Sequence, residues 1–263
     1  MKDLAIVISN DNKKINAKET IDYAIKYGFK KVFVQLYDKE RSISEEEQIK
    51  YALKNNLEII FAHLGYSKLN NIWLDNEIGK TFVDKYKRNL DICKKYGINM
   101  VVMHINIGIK APKPNKLGLS RFQEICDYAQ SLNIKVAFEN TKLKGYQEYI
   151  LDNIKNDNVG VCIDVGHIHT HFKGKYNYER FKDRVFAIHI HDNMAKKDLH
   201  LIPTDGNIIW KKTLKKLKDT NYNGPLTLEV CYLNKKYLKY SPDRFFKKAK
   251  RIGDKLLRMY NKL

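Results

Sequence analysis

The feature that most restricts the fold is an alternation: short β-branched, apolar runs recur along the chain, and stretches of helical period separate them. The runs are Leu4 to Ile8, Lys31 to Leu36, Leu57 to His63, Asn99 to His104, Ile134 to Glu139, Val159 to Val165, Val185 to His191 and Pro225 to Val230. Between the first two, Asn16 and Glu19 spell a helix-capping box, Ile21, Ala24 and Ile25 form an inward stripe, and Gly28 supplies the stop. Phe82, Tyr86, Leu90 and Cys93 repeat the stripe before Gly97, and Phe122, Ile125, Cys126, Ala129 and Leu132 repeat it again. Further helices are expected over Glu45 to Asn55, Tyr146 to Ile154 and Tyr178 to Lys182, through Ile209, Leu214 and Leu217, and over Phe245 to Leu257. The junctions Tyr27-Gly28, Tyr96-Gly97 and Asn223-Gly224 read as one motif reused. Parallel strands with crossover helices, and no Pro/Gly/Ser-rich linker to divide them, predict an α/β chain folded as a single (β/α)8 barrel over residues 1–263. Ile107 to Lys116, with Pro112 and Pro114, reads as an extended loop over its mouth.

In such a barrel chemistry gathers at the C-terminal ends of the strands. His63, His104, Glu139, Asp164, His189 and Glu229 each fall at or near one, and His167, Asp198 and His200 follow in what read as the loops after strands six and seven. All eight histidines lie at or after a strand end, with none expected on a helix. A carboxylate such as Asp164, ending so apolar a run, costs several kcal/mol, roughly, unless it is paired or bound to a cation. The plainer reading makes Asp164 a helix cap beside a satisfied histidine. The metal reading sorts the residues into three groups. Glu139, Asp164, His189 and Glu229 can surround one ion, His63 and His104 a second that shares Glu139, and His167, Asp198 and His200 a third, more exposed and weaker. The spacing of Asp198 and His200 lets both face one point only on extended backbone.

Composition bounds the rest. The net charge is +19, yet only eight of the 49 basic residues are arginine, and the lysines spread over helix surfaces, with Lys211 to Lys218 and Lys247 to Lys255 on exposed faces. No apolar run reaches membrane-spanning length, and the start MKDLAIVISN lacks a signal-peptide pattern, so a cytoplasmic protein is expected, with no membrane partner. Cys93, Cys126, Cys162 and Cys231 form no CxxC pair and read as small core residues.

Seven segments carry a resemblance over nearly the whole chain: AHLGYSKLNN at His63, VVMHIN at His104, FENT at Glu139, CIDVGH at Asp164 and His167, IHIHDN at His189, DLHLIPTDG at Asp198 and His200, and GPLTLEV at Glu229. Together they resemble the superfamily that joins xylose isomerase-like sugar isomerases and epimerases with endonuclease IV. The resemblance implies a xylose isomerase-like TIM barrel in which Glu139, Asp164, His189 and Glu229 are metal ligands in both branches. All nine positions that hold the three zinc ions of endonuclease IV are filled here, and Tyr66 matches a tyrosine of that family. Gly166, Ile105 to Gly108, Ser67 in place of an apolar wedge, and the short Tyr37 to Ser44 loop depart from it. HIHDN, the stretch to Trp210 and YNGPLTLEV look like the isomerase branch, although Ala195 and Lys196 stand where ketose epimerases usually carry an arginine.

The first expectation is therefore an enzyme: an isomerase or epimerase of a sugar, polyol or sugar phosphate, using one to three divalent ions (zinc, manganese, magnesium or cobalt). In it Glu139 and Glu229 move a proton and His167 contacts a substrate oxygen. The alternative is an endonuclease IV-like zinc-dependent phosphodiesterase acting on abasic DNA. A third reading keeps the ion as a structural centre. Lys110, Lys142 and Lys196 are expected at the mouth, where they suit a substrate phosphate or a DNA backbone. The oligomeric state is left open.

Overall fold

The computed structural model describes residues 3–11, 14–37 and 42–263. Its elements are β1 (Leu4–Val7), α1 (Ala17–Lys26), β2 (Lys31–Leu36), α2 (Glu45–Lys54), β3 (Glu58–Leu64), α3 (Glu77–Lys95), β4 (Met100–Met103), α4 (Lys116–Ser131), β5 (Lys135–Glu139), α5 (Tyr146–Asn153), β6 (Val159–Asp164), α6 (Val165–Phe172), α7 (Tyr178–Phe181), β7 (Val185–His189), α8 (Trp210–Lys218), β8 (Leu226–Leu228) and α9 (Pro242–Lys262). Residues 38–41 of the expected loop between Tyr37 and Ser44 lie outside the described residues.

The strands pair in parallel in the order β7-β6-β5-β4-β3-β2-β1-β8. One parallel bridge, Ile190 to Leu228, brings the two ends of that order together and nearly closes a (β/α)8 barrel. Side chains two apart on a strand share a face, and that period stacks the interior. Val7, Phe33, Phe61, Val102, Ala137, Cys162 and Ala187 make a buried apolar floor, with Thr227 beside it on β8, also fully buried. Two residues further along each strand come Ser9, Gln35, His63, His104, Glu139, Asp164, His189 and Glu229. The polar side chains of this upper layer are thus lifted one pleat above hydrocarbon, save Glu229, which stands above Thr227. Burial pushes the Cys162 thiol of the floor, like Cys93 on α3, up to about 12. Cys231, expected in the core with the other cysteines, is instead half-buried and lines the cavity above.

Four helices stop in the same way. After α1, α2, α3 and α4 the residues Gly28, Asn56, Gly97 and Asn133 adopt φ of 76°, 60°, 70° and 59°. Each is followed by an apolar residue whose N–H returns to the helix: Phe29 to Ala24, Leu57 to Ala52, Ile98 to Cys93 and Ile134 to Ala129. This is a Schellman close, which needs left-handed backbone and so selects Gly or Asn. The expected third copy at Asn223-Gly224 is different: Gly224 has no left-handed φ, and a Cβ there would overlap the Tyr222 ring.

The expected absence of helical histidines is overturned by α6. His167, His169 and His171 all lie on it, and Asp164 caps it by accepting the His167 N–H at 2.7 Å. No helix among the described residues is long and apolar enough to cross a membrane.

Candidate functional site

Above the apolar floor the mouth encloses a cavity of about 490 Å³, lined on one side by His63, His104, Glu139, His167, Asp198, His200 and Glu229. Asp164 and His189, with no exposed surface, lie beneath it. Glu139 is the hub. Its Oε2 is 3.1 Å from His63 Nε2, 3.4 Å from His104 Nε2 and 3.3 Å from His189 Nδ1, while Oε1 is 2.9 Å from His167 Nδ1. His189 Nδ1 is also 3.3 Å from Glu229 and 3.7 Å from Asp164. On the outer side, Asp198 Oδ2 lies 3.0 Å from His167 Nε2 and 3.3 Å from His200 Nε2. Among the groups whose donor atoms all fall within 4.8 Å of one another are His63, His104 and Glu139; Glu139, Asp164 and His167; and His167, His191, Asp198 and His200.

The proton positions favour a cation here. His63, His167 and His200 each direct Nδ1 at a main-chain carbonyl, of Leu64 at 3.1 Å, Asn140 at 2.9 Å and Glu229 at 2.9 Å. A carbonyl only accepts, so Nδ1 carries the hydrogen and the neutral ring turns a bare Nε2 lone pair toward a carboxylate oxygen. Two lone pairs that close repel unless a proton or a metal ion lies between them, and a ligating histidine is oriented in this same way through its other nitrogen. Both nitrogens of buried His189 lack a hydrogen-bond partner among the described residues. At His200 a proton can take the place between the lone pairs: burial opposes an imidazolium there, yet Asp198 and Glu229 raise its pKa to about 10. Burial likewise opposes ionisation of Glu139, and the imidazoles of His104 and His189 hold it well below the usual carboxylate range. The donor set therefore fits one or more divalent transition ions.

Three local arrangements hold the site. The Asn140 side chain clamps β5 to β6, accepting the Asp164 N–H at 2.8 Å and donating to the Asp164 carbonyl at 3.0 Å. The buried Asp192 carboxylate accepts N–H groups of Asn193, Thr204 and Ile208 and the Trp210 indole at 2.8–3.1 Å, fixing the loop that carries Asp198 and His200. That loop is not extended as expected, since His200 has φ of 45°. The third arrangement involves His191, which went unassigned in the sequence although it lies two residues beyond His189. Its Nε2 is 3.1 Å from Asp164, and its ring stacks on His200 at 4.0 Å. A Cβ at position 166 would overlap that ring, so Gly166, where the chain departs from the endonuclease IV motif, is what makes room for it.

Tyr66 stacks on His104 at 4.1 Å, and Tyr37 meets both Tyr66 and His63 edge-on. The β1 and β2 side of the cavity carries the uncharged Ser9, Asn10, Gln35 and Tyr37 and one carboxylate, Asp11. None of these was legible as a candidate, nor were Asn106 and Thr141 across the cavity. Of the lysines expected at the mouth, Lys142 lines the cavity, while Lys110 and Lys196 do not.

A (β/α)8 barrel with convergent imidazoles and carboxylates at its strand ends has the layout of a barrel enzyme's catalytic face. The chain belongs to the xylose isomerase-like TIM barrel family, whose model matches residues 21–251. Among solved structures it is similar to the IolI protein with a bound zinc atom, at TM-score 0.78 and 19% identity over 99% of both chains. It is also similar to a D-tagatose 3-epimerase-like protein, at TM-score 0.77 and 19% identity over 100% of this chain and 99% of that one. At such identity these likenesses establish the fold. By sequence it is 33% identical to a probable endonuclease 4 of Mycoplasma capricolum over 128 residues, 40% of this chain and 44% of that protein. The curated relatives are matched over 44% to 64% of their own length.

Proposed function

We propose that the protein is a divalent-metal-dependent isomerase or epimerase of a sugar, polyol or sugar phosphate. The observation that carries this reading is the pair Glu139 and Glu229, which approach the same His189 nitrogen, each at 3.3 Å, beside a cavity of about 490 Å³. That volume suits a small molecule, and the lining holds one lysine and no arginine among the described residues, which disfavours a polyanion. One glutamate takes the proton from a substrate carbon and the other returns a proton to that carbon or its neighbour, so the product differs only in where that hydrogen sits. Held by Glu139, Asp164, His189 and Glu229, a divalent ion would polarise the substrate's carbonyl and hydroxyl oxygens. His167, held through Nδ1 by the Asn140 carbonyl, would contact one of those oxygens through Nε2, with the substrate taking the place that Asp198 holds there.

A second reading, phosphodiester hydrolysis, is favoured by the residues the first leaves unused. His63 and His104 converge on Glu139, and Asp198 and His200 form an outer cluster with His167, so the donors suffice for more than one ion. The relatives named as probable endonuclease 4 support the same reading.

The test offers metal-replete protein a panel of ketopentoses, ketohexoses and their phosphates in deuterium oxide, and follows loss of carbon-bound hydrogen by NMR. Exchange that Glu229→Gln abolishes is the expected result. Efficient incision of abasic-site DNA, lost in the same variant, with no exchange on any sugar, would instead establish the second reading.

A further inference from the structure

His191 has no exposed surface, and its ring fills the space that Gly166 leaves open. Its Nε2 lies 3.1 Å from Asp164 Oδ2, whereas Asp198 Oδ1 is 3.8 Å away. A carboxylate accepts, so Nε2 carries the hydrogen and donates it to Asp164. Nδ1 has no hydrogen-bond partner among the described residues. A buried imidazole with one nitrogen unpaired is a destabilising way to fill space, since an apolar side chain would strand no polar atom. What the ring does at Asp164 and His200 accounts for its presence.

We infer that His191 is a positioning residue for the inner ion: its N–H fixes the plane of the Asp164 carboxylate, and its face steadies the His200 ring. Asp164 Oδ1 is already held by the His167 N–H at 2.7 Å. One bond pins one oxygen and leaves the other free to swing; the His191 N–H pins the second. The other imidazole nitrogens near Oδ2, His167 Nδ1 and His189 Nδ1, are both 3.7 Å away, too far to hold it. Asp164 has no exposed surface either, so bulk water does not take over the task. The same ring lies nearly parallel to His200, with centroids 4.0 Å apart and planes 13° from each other. One side chain thus sets a ligand of the inner group and a ligand of the outer one. The inference rests on the divalent ion of the proposed reading and not on its reaction.

Zinc affinity, read by competition with a chromophoric chelator, tests the role, with anomalous scattering assigning each bound ion to its ligands. His191→Leu removes both donor and ring, and should weaken zinc at Asp164 about ten- to a hundredfold. His191→Gln, whose amide nitrogen reaches about as far as Nε2, should recover most of that affinity. Gly166→Ala keeps the histidine but pushes its ring out of place, and should weaken zinc as well. Combined with His191→Leu it should add little, because both changes break the same bond. Unchanged zinc affinity in His191→Leu and Gly166→Ala, with only the melting temperature lowered, overturns the inference. So does a His191→Gln variant that loses zinc as fully as His191→Leu. Zinc binding that follows the expected pattern, in a protein that exchanges no hydrogen on any sugar, keeps the role of His191 and overturns the isomerase. No zinc binding by the wild type overturns the ion, and the role with it.

Discussion

The eight strands divide into two arcs. β3 to β8 raise His63, His104, Glu139, Asp164, His189 and Glu229 above the floor, each a ligand type suited to a divalent transition ion, while β1 and β2 raise the uncharged Ser9 and Gln35. Both arcs are parallel strands, with a register shift at Val32/Val34 in β2 and another at Val161/Cys162 in β6, above one apolar layer that Thr227 interrupts on β8. What separates them chemically is the side chain placed at a shared register position. One arc gathers charge about Glu139, and the upper layer of the other offers neutral hydrogen bonds, with Asp11 its one carboxylate in the lining. A substrate spanning the cavity would meet reactive groups at one end and orienting groups at the other, which is how binding and chemistry come to be separable by mutation.

The largest effect should come from the charged arc. Glu139→Gln is expected to lower kcat about 10³-fold and to reduce the divalent metal retained after gel filtration, measured by elemental analysis; retention of both would break the contrast at its centre. Next comes the loop that completes the charged arc. Asp192→Ala strands four N–H donors, and should cost at least about 3 kcal/mol in urea unfolding while leaving metal at His63 and His104 detectable by anomalous scattering. If stability is unchanged, the loop does not depend on that carboxylate. The neutral arc should respond more gently. Gln35→Leu is expected to raise KM about tenfold with kcat within roughly twofold, and steady-state kinetics showing the reverse would move β2 into the reactive half. The smallest change belongs to neither arc. Gly97→Ala, at φ of 70°, should cost about 1 kcal/mol and leave kcat and KM alone, which sets the baseline for purely structural damage.

The sequence announces the charged arc because imidazoles and carboxylates at the ends of apolar runs stand out, and a period of two is enough to align them. The same period places Ser9 and Gln35, but uncharged polar residues at strand ends carry no comparable signal. Their meaning comes from the cavity they face, which no single strand reveals. Helix α6 escaped for a different reason. His167, His169 and His171 alternate like a strand or loop, and the helix is set by the Asp164 cap and by packing of the buried Val165, Ile168 and Phe172. Asp164 shows that the plain and the chemical readings of a residue need not compete: one oxygen caps the helix at 2.7 Å while the other faces His191 at 3.1 Å. Gly166 looked like a departure from a motif until the His191 ring was found packed against it.

The single bridge between β7 and β8 gives the barrel a seam. Two main-chain hydrogen bonds, Ile190 N–H to Thr227 and Glu229 N–H to Ile190, at 2.8 and 3.0 Å, cross it. His189 and Glu229 form its two lips, 3.3 Å apart. Opening the seam would part them, so anything that ties them together raises the free energy of opening by mass action. The amide protons of Ile190 and Glu229 become reporters of the site from outside it: their exchange with solvent should slow as the site fills and quicken when it empties, before any strand elsewhere in the ring is disturbed.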